Sequence, residues 1–222
     1  MRPGLLKKAF PWLRNRSDEP GEANGALAIR GERVLLREKA LRDAVEDYAW
    51  RTDEEISRLD ATQPISMSYA AFLRYTKEEM MYASQSSRRF AIDTVEGKHI
   101  GNCMYYDISL KRGEVELGIM IGDRDYQGRG YGTEAVDLLL DYIFTTTPLN
   151  RVYLHTLEWN HRARRSFAKS GFKEIQAVHR SGFDFIKMEI FRWEWEKLRD
   201  GQAGQGSSSA QNGAPAGPKV GT

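Results

Sequence analysis

The sequence of 222 residues lacks the features that mark several large classes of protein. It has one cysteine, Cys103, which rules out an internal disulfide and predicts a reducing compartment, the cytoplasm. No apolar run approaches the roughly 18 residues of a membrane-spanning helix, so no stable membrane insertion is expected. No cluster of cysteine and histidine has metal-ligand spacing, which predicts no metal site. The net charge of +2 leaves no electrostatic footprint for nucleic acid.

The two ends of the chain differ in composition from its middle. Residues 1–25 combine basic charge with Pro, Gly and Asn, which predicts a flexible basic leader. An alternative is that the amphiphilic stretch 5–14 touches an anionic membrane surface, as in a peripheral adaptor. Residues 199–222 are rich in Gly, Ser and Ala and cannot bury enough apolar surface to order, so a disordered tail is predicted. Residues 26–198 then form one folded domain.

The middle of the chain contains a strand, a glycine-rich turn and a helix in immediate succession. Apolar and polar residues alternate over 114–121, which predicts a strand, and the apolar spacing over 130–145 predicts a helix. The stretch 127–132, Gln-Gly-Arg-Gly-Tyr-Gly, joins them. Unpaired backbone N–H groups at a helix N-terminus, together with the helix dipole, make an anion site.

The glycine spacing separates this loop from two common phosphate-binding motifs. A Walker loop needs Gly-Lys-Ser/Thr, but Gly132 is followed by Thr133 with no lysine before it. The dinucleotide motif needs G-x-G-x-x-G, which the loop does not have. The pattern Gln-x-x-Gly-x-Gly at Gln127, Gly130 and Gly132 resembles instead the pyrophosphate loop of the GNAT superfamily of acetyl-CoA-dependent N-acetyltransferases.

The order of predicted elements resembles the GNAT fold along residues 26–198. The predicted order is β-α-α-β-β-β-α-β-α-β-β, with an antiparallel meander over 89–121 and a βαβ crossover that makes one strand pair parallel. The expected fold class is α+β: a single domain with a mixed, mostly antiparallel sheet, a central splayed parallel pair and helices on both faces. Residues 31–37 and the Asn160…Gly171-Phe172 helix are similar to the branch with ribosomal-protein N-terminal and spermidine N-acetyltransferases.

This resemblance implies a reaction and a co-substrate. The expected function is transfer of an acetyl group from acetyl-CoA to a primary amine of a small molecule or protein N-terminus. Strand backbone and Asn160 would bond the pantetheine, and loop amides would hold the pyrophosphate. Arg129 is the preferred phosphate side chain, ahead of the arginines at 162, 164 and 165. The expected acetyl-CoA residues are Ile119, Met120, Ile121, Gln127, Gly128, Arg129, Gly130, Tyr131, Gly132, Thr133 and Asn160.

Glu116 is the predicted catalytic base, because the resemblance puts a glutamate on this strand near the amine. An alkylamine has a pKa of about 10.4, so a base must take its proton near neutral pH. The structural alternative is that Glu116 faces solvent and pairs with a cross-strand Lys or Arg. Glu114 lies earlier on the same face and is expected to be structural. His155 and His161 are expected to be surface or strand residues and not catalytic acids.

The tyrosine acid of many relatives is replaced here by Phe167, which cannot donate a proton. Ser166 is expected to point elsewhere on the helix. The leaving thiolate then takes its proton from solvent or from a substitute such as Tyr105 or Tyr106. The alternative function is a non-catalytic acyl-CoA-binding or regulatory module with the GNAT fold.

The acceptor is expected to be a cationic amine if the acidic segment at 53–60 borders its site. That segment holds Asp53, Glu54, Glu55 and Asp60, with Arg58 as the one opposing charge, and clustered carboxylates attract cations. The alternative is that these side chains are merely solvated. Assembly as a homodimer is left open by the resemblance.

Overall fold

The computed structural model describes residues 27–82 and 86–208, with the backbone alone for 202–208. The predicted leader at 1–25, including the stretch 5–14, lies outside the described residues. The part of the predicted tail beyond residue 208 does so as well.

The described residues form eight strands and six α-helices. The strands are β1 (Ala28–Arg30), β2 (Val34–Glu38), β3 (Arg88–Thr94), β4 (His99–Ser109), β5 (Glu114–Ile121), β6 (Arg151–Leu157), β7 (Lys173–Arg180) and β8 (Phe183–Phe191). The helices are α1 (Ala44–Thr52), α2 (Glu54–Leu59), α3 (Tyr69–Met81), α4 (Tyr131–Thr146), α5 (His161–Lys169) and α6 (Arg192–Ser208).

All eight strands belong to one sheet, in the order β1-β2-β3-β4-β5-β6-β8-β7. Its neighbours are antiparallel apart from β5 and β6, which are parallel, so the predicted mixed sheet is confirmed. The β5–β6 pairing runs from Glu114–Arg151 to Glu116–Tyr153 and stops there, although β5 continues to Ile121. The predicted splay is therefore present, and it opens after Glu116.

The helix after the glycine loop packs on one face of the sheet. The apolar stripe predicted for α4 is fully buried there: Val136, Leu139, Leu140 and Ile143. It lies against Val115 and Leu117 of β5 and Cys103 of β4, within one core cluster. Cys103 is buried, and burial raises the pKa of its thiol, which keeps it protonated and unreactive.

Helix α1 is held near the opposite face of the sheet by a polar network. In this network, His99 lies with Nδ1 3.1 Å from Asp93 and Nε2 3.4 Å from Asp47. The carboxylate of Asp93 also accepts from Arg37, at 2.6 Å. The network contains seven side chains, which are Arg37, Lys39, Asp43, Asp47, Asp93, His99 and Asn102.

Two helices differ from the prediction. Helix α2 lies in the acidic segment 53–60, for which no helix was predicted. Asp53 caps it by accepting from the Ile56 N–H at 2.9 Å. Helix α6 begins at Arg192, so the predicted domain end at residue 198 falls inside it. The reason is Trp195, which is 9% exposed and stacks on Phe144 with ring centroids 5.3 Å apart. Composition alone does not reveal this anchor.

Candidate active site

A cleft of about 310 Å³ lies where β5 and β6 separate. One wall is the end of β5, where Ile119, Met120 and Ile121 line the cleft, and the glycine loop forms its floor. Helix α5 forms the opposite wall, and Ile56, Leu59 and Asp60 of the α2 segment lie over one side. The strands, the loop and the helix that the sequence singled out therefore meet at one place.

The glycine loop has the backbone shape of an anion site. Gly128 has a φ of 73° and Gly130 a φ of 90°, both in the left-handed region that favours glycine. Gly130 is the N-cap residue of α4. Within the described residues, no acceptor bonds the N–H groups of six consecutive residues, which are Gly128, Arg129, Gly130, Tyr131, Gly132 and Thr133. Such donors attract an anion.

Arg33, in the β1–β2 turn, fixes the shape of this loop. Its Nη1 donates to the Arg129 carbonyl at 3.0 Å, and its Nε donates to Glu134 in the first turn of α4, also at 3.0 Å. The same Glu134 accepts from the Arg33 backbone N–H at 2.8 Å. The guanidinium also lies 5.0 Å from the Tyr131 ring centre. Sequence reasoning missed this residue, since it is about 100 positions from the loop.

Gln127 ties the loop to the strand before it. Its side-chain Nε2 donates to the Ile121 carbonyl at 2.8 Å, and its backbone N–H donates to the Arg124 carbonyl at 3.2 Å. The Gln127 amide expected to hold an anion is thus engaged in a turn.

Helix α5 presents positive charge to the cleft. Asn160 caps the helix, with its Oδ1 accepting from the Ala163 N–H at 3.1 Å, and it lines the cleft as predicted. The lining cations are Arg162, Arg165 and Lys169. Arg164 instead donates to Glu174 at 2.8 Å on the outside. The preferred Arg129 has an exposed side chain and does not line the cleft.

The expectation for Ser166 was wrong. Its hydroxyl lies 2.8 Å from the Thr133 hydroxyl at the start of α4, and it lines the cleft beside Phe167. A broad arc of α5, and not a single stripe, faces the cleft, so a residue 100° round from Phe167 still lines it.

Glu116 lies at the last pair before the splay, and the solvent alternative for it was wrong. It is 3% exposed, and its Oε1 is 2.8 Å from Nδ1 of His155 on β6. The nearest arginine nitrogen, Nη2 of Arg180, is 4.0 Å away. The sequence placed His155 on a strand but could not show this pair, which depends on the β5–β6 register.

Of the other candidate residues near Glu116, Glu114 and Tyr105 have structural positions, and Tyr106 lies beside Glu116. Glu114 forms ion pairs with Arg112 and Arg151, in line with its expected structural role. Tyr105 is fully buried in the core on the other face of the sheet, so it cannot reach the cleft. Tyr106 lies opposite Glu116 in the β4–β5 register. Burial and the nearby Glu116 charge raise the pKa of Tyr106, so its phenol keeps its proton at neutral pH.

The acidic segment is more neutralised than expected. One Nη2 atom of Arg124 lies 2.8 Å from Asp53 and 3.1 Å from Glu55. Arg51 pairs with Asp60 at 3.3 Å. The sequence offered no sign of the Arg124 pairing, because that arginine lies about 70 positions away.

Spanning helices and metal clusters are both absent from the part of the chain that the structure describes. No helix there is both long and apolar enough to cross a membrane. No group of three or more His, Cys, Asp or Glu side chains in the same residues could hold a metal ion.

Comparison with known proteins agrees with this geometry. The family model for the "Acetyltransferase (GNAT) domain" matches residues 33–173. The uncharacterized N-acetyltransferase p20 of Bacillus licheniformis is 30% identical over 122 residues, which cover 54% of this chain and 68% of that protein. The spermidine N(1)-acetyltransferase of Escherichia coli K12 is 34% identical over 96 residues, covering 43% of this chain and 50% of its own length.

A solved structure shares the fold. The spermidine N-acetyltransferase of Vibrio cholerae, in complex with CoA and spermine, superposes with a TM-score of 0.66 at 20% identity. The match covers 75% of this chain and 99% of that one. The class defined by fold and loop is thus an acyl-CoA-dependent transferase. The chain belongs to the GNAT acetyltransferase family, and it transfers an acetyl group from acetyl-CoA to an amine.

Proposed function

We propose that this enzyme acetylates a primary amine of a small cationic molecule, with the thioester held in the cleft between β5 and α5. The observation that carries the proposal is the cleft itself. It lies beside six N–H donors at a helix N-terminus, and the buried Glu116 stands at the last β5–β6 pair, shortly before the part of β5 that lines the cleft.

The acetyl-CoA side follows from charge and hydrogen-bonding capacity. The N–H groups from Gly128 to Thr133 suit the pyrophosphate. Arg162, Arg165 and Lys169 suit the remaining phosphate, since they line the same cleft. The edge of β5 left without β6 suits the amide groups of pantetheine, and an N–H near Met120 suits the thioester oxygen. Asn160 adds an amide at the second strand's end.

On the amine side, we propose that Glu116 is needed to remove the proton. Glu116→Gln should lower kcat/KM near neutral pH, with part of the loss recovered at high pH, where free amine is abundant. With phenylalanine at 167, the thiolate takes its proton from water or from Tyr106.

The cationic acceptor is supported mainly by the relatives, which include enzymes named for spermidine. The carboxylates of the α2 segment support it less than expected, because Arg124 and Arg51 pair with three of them.

The test is thiol release from acetyl-CoA with three acceptors: spermidine, an aminoglycoside and a peptide with a free N-terminus. Mass spectrometry of the product confirms transfer. We expect spermidine to be preferred, with a KM that rises with salt. Equal turnover of all three, indifferent to salt, would contradict the cationic class. If acetyl-CoA raises the melting temperature but no acceptor releases thiol, the alternative function, a non-catalytic acyl-CoA-binding module, would be supported instead.

A further inference from the structure

We propose that His155 is the catalytic residue that takes the proton from the amine, through Nε2, and that Glu116 acts as its positioning residue. This inference rests on the proposed function and assigns its proton acceptor to one atom. It comes from the geometry of a carboxylate and an imidazole where two strands separate.

The position of His155 follows from the sheet register. Glu116 and Tyr153 form the last parallel pair. The next side chains on that face are Gly118 on β5 and His155 on β6, because strand side chains alternate. Gly118 has no side chain, and the space that one would take is bordered by Met104 and Tyr106 of β4. His155 therefore lies just past the last strand pair, at the start of the separation, while the lining of the cleft itself begins on β5 at Ile119.

The hydrogen bond sets which nitrogen can accept a proton. A carboxylate only accepts, so the Nδ1 of His155 donates to Glu116 over their 2.8 Å. In the neutral ring Nε2 is then the acceptor. Within the described residues, no partner bonds Nε2. Edge-on contacts with Tyr153 and Phe185, at centroid distances of 5.9 and 6.3 Å, hold the ring plane.

Exposure favours His155 over Glu116 as the group that meets the amine. The Glu116 side chain is 4% exposed and that of His155 is 11%. The carboxylate is bonded to the imidazole, so an amine reaching it would have to break that bond. Imidazole as a class titrates nearer to neutral pH than a carboxylic acid, which suits a general base.

Other charges and phenols face this pair from neighbouring strands. Any pH dependence of the pair is set together with these groups: Tyr106 on β4, Asp107 on β4, Tyr153 on β6, Arg180 on β7 and Lys187 on β8.

The proposed step balances without a further reactant. Nε2 of His155 takes a proton from the bound ammonium group, and the resulting neutral amine attacks the thioester carbon and forms the N–C bond. The C–S bond breaks with its electron pair on sulfur. The thiolate takes a proton from water, the new amide nitrogen gives its surplus proton to the resulting hydroxide, and the imidazolium releases its proton to solvent.

The experiment compares kcat/KM against pH for three variants, with whichever of the three acceptors reacts fastest. His155→Gln keeps a donor toward Glu116 but removes the base. Glu116→Gln keeps an acceptor but removes the charge. The matched control is His179→Gln, since His179 makes the same kind of pair with Asp184 at 2.7 Å but is 69% exposed.

We expect His155→Gln to lower kcat/KM about 100-fold at pH 7. We also expect it to abolish the rise of kcat/KM with pH near neutrality, which is the limb of the profile that reports the base. Glu116→Gln should lose less, about 10-fold, should keep the pH-dependent rise that His155→Gln loses, and should recover part of its loss at high pH, where free amine is abundant. His179→Gln should match the wild type. In all three variants acetyl-CoA should raise the melting temperature as much as it does in the wild type. That result would show that the variants fold and bind the co-substrate.

Three outcomes would overturn the inference. If His155→Gln keeps the wild-type limb, His155 is not the base. If Glu116→Gln loses 100-fold while His155→Gln loses little, the carboxylate itself is the base and the proposed function stands. If no amine is acetylated although acetyl-CoA binds, the proposed function fails first and this inference fails with it.

Discussion

Gly130 carries the strictest backbone requirement in the loop. Its φ of 90° is left-handed, and a Cβ there would lie 3.0 Å from Nη2 of Arg33, the residue that holds the loop. Gly97, in the β3–β4 turn, has a φ of 92° but open space around it. A comparison of substitutions at the two glycines therefore distinguishes the effect of backbone strain from the effect of damage to the loop.

Gly130→Ala and Gly97→Ala should both destabilise the fold, by about 1–2 kcal/mol, the cost of a side chain in the left-handed region. Only Gly130→Ala should also lose ligand stabilisation. For the wild type, acetyl-CoA at a hundredfold excess over Kd should add about 2.7 kcal/mol. Thermal unfolding with and without acetyl-CoA measures both effects. An intact shift in Gly130→Ala would show that the loop does not hold the ligand.

The arginines of α5 allow a second residue-level comparison. Arg162→Gln and Arg165→Gln should each raise the KM for acetyl-CoA about tenfold with little change in kcat, because they remove binding and not chemistry. Arg164→Gln lies on the same helix but pairs with Glu174, so its KM should stay near wild type. Steady-state kinetics at two salt concentrations would measure this. Equal effects of all three substitutions would mean that general charge, and not position, matters.

Single residues were predictable from the sequence where backbone chemistry fixes them. The glycines and the cap residue Asn160 follow from local rules, and the structure places them at the cleft. Contacts between distant segments were not predictable. The Glu116–His155 pair and the Arg33 contacts depend on how the sheet is assembled, and no local pattern encodes that register.

At the scale of an element, helix α1 depends on ionised side chains. Burial opposes the charged form of His99, but its hydrogen bonds to Asp47 and Asp93 outweigh burial and raise its pKa. Burial likewise opposes ionisation of Asp43, Asp47 and Asp93, yet bonds from their cationic partners hold the pKa of each below its usual value.

The signs of these shifts predict a window of maximum stability. The contribution of His99 is complete below an unfolded pKa of about 6.5 and is lost as pH rises through its higher folded pKa. The contribution of the aspartates is complete above about 3.9 and is lost as pH falls below it. The network therefore stabilises the fold most between about pH 4 and 6.5, and the melting temperature should be highest there. His99→Gln should flatten the alkaline side and also weaken the acidic side, because His99 bonds Asp47 and Asp93. An unchanged alkaline side would contradict the assignment.

Helix α6 offers a truncation test. A chain that ends at residue 201 keeps Trp195 on Phe144 and should melt like the full chain. A chain that ends at residue 191 loses that packing and should lose about 3 kcal/mol or more, the usual cost of removing a buried tryptophan. Denaturant unfolding of both would measure the difference. A large loss in the longer of the two chains would show that residues beyond 201 pack on the domain.

The elements that the sequence predicted are those with long periodic patterns, such as α4 and the meander from β3 to β5. The two missed helices have weaker patterns. Helix α2 has six residues and is specified by one cap, and α6 runs from its aromatic and charged first turns into a segment with several glycines. A short window of sequence carries too little periodicity to separate such helices from loops.

For the whole molecule, the splay means that the sheet is open in its middle. Beyond Glu116, β5 pairs with β4 on one side and not with β6 on the other. In hydrogen–deuterium exchange a central strand is usually the slowest to exchange. Here the amides of residues 117–121 that point away from β4 should exchange as fast as those of an edge strand. Acetyl-CoA should slow the exchange of these amides. If they are already protected before acetyl-CoA is added, the separation between β5 and β6 closes in solution without ligand. If these amides are protected only after acetyl-CoA is added, the enzyme completes its own sheet only while it holds its substrate.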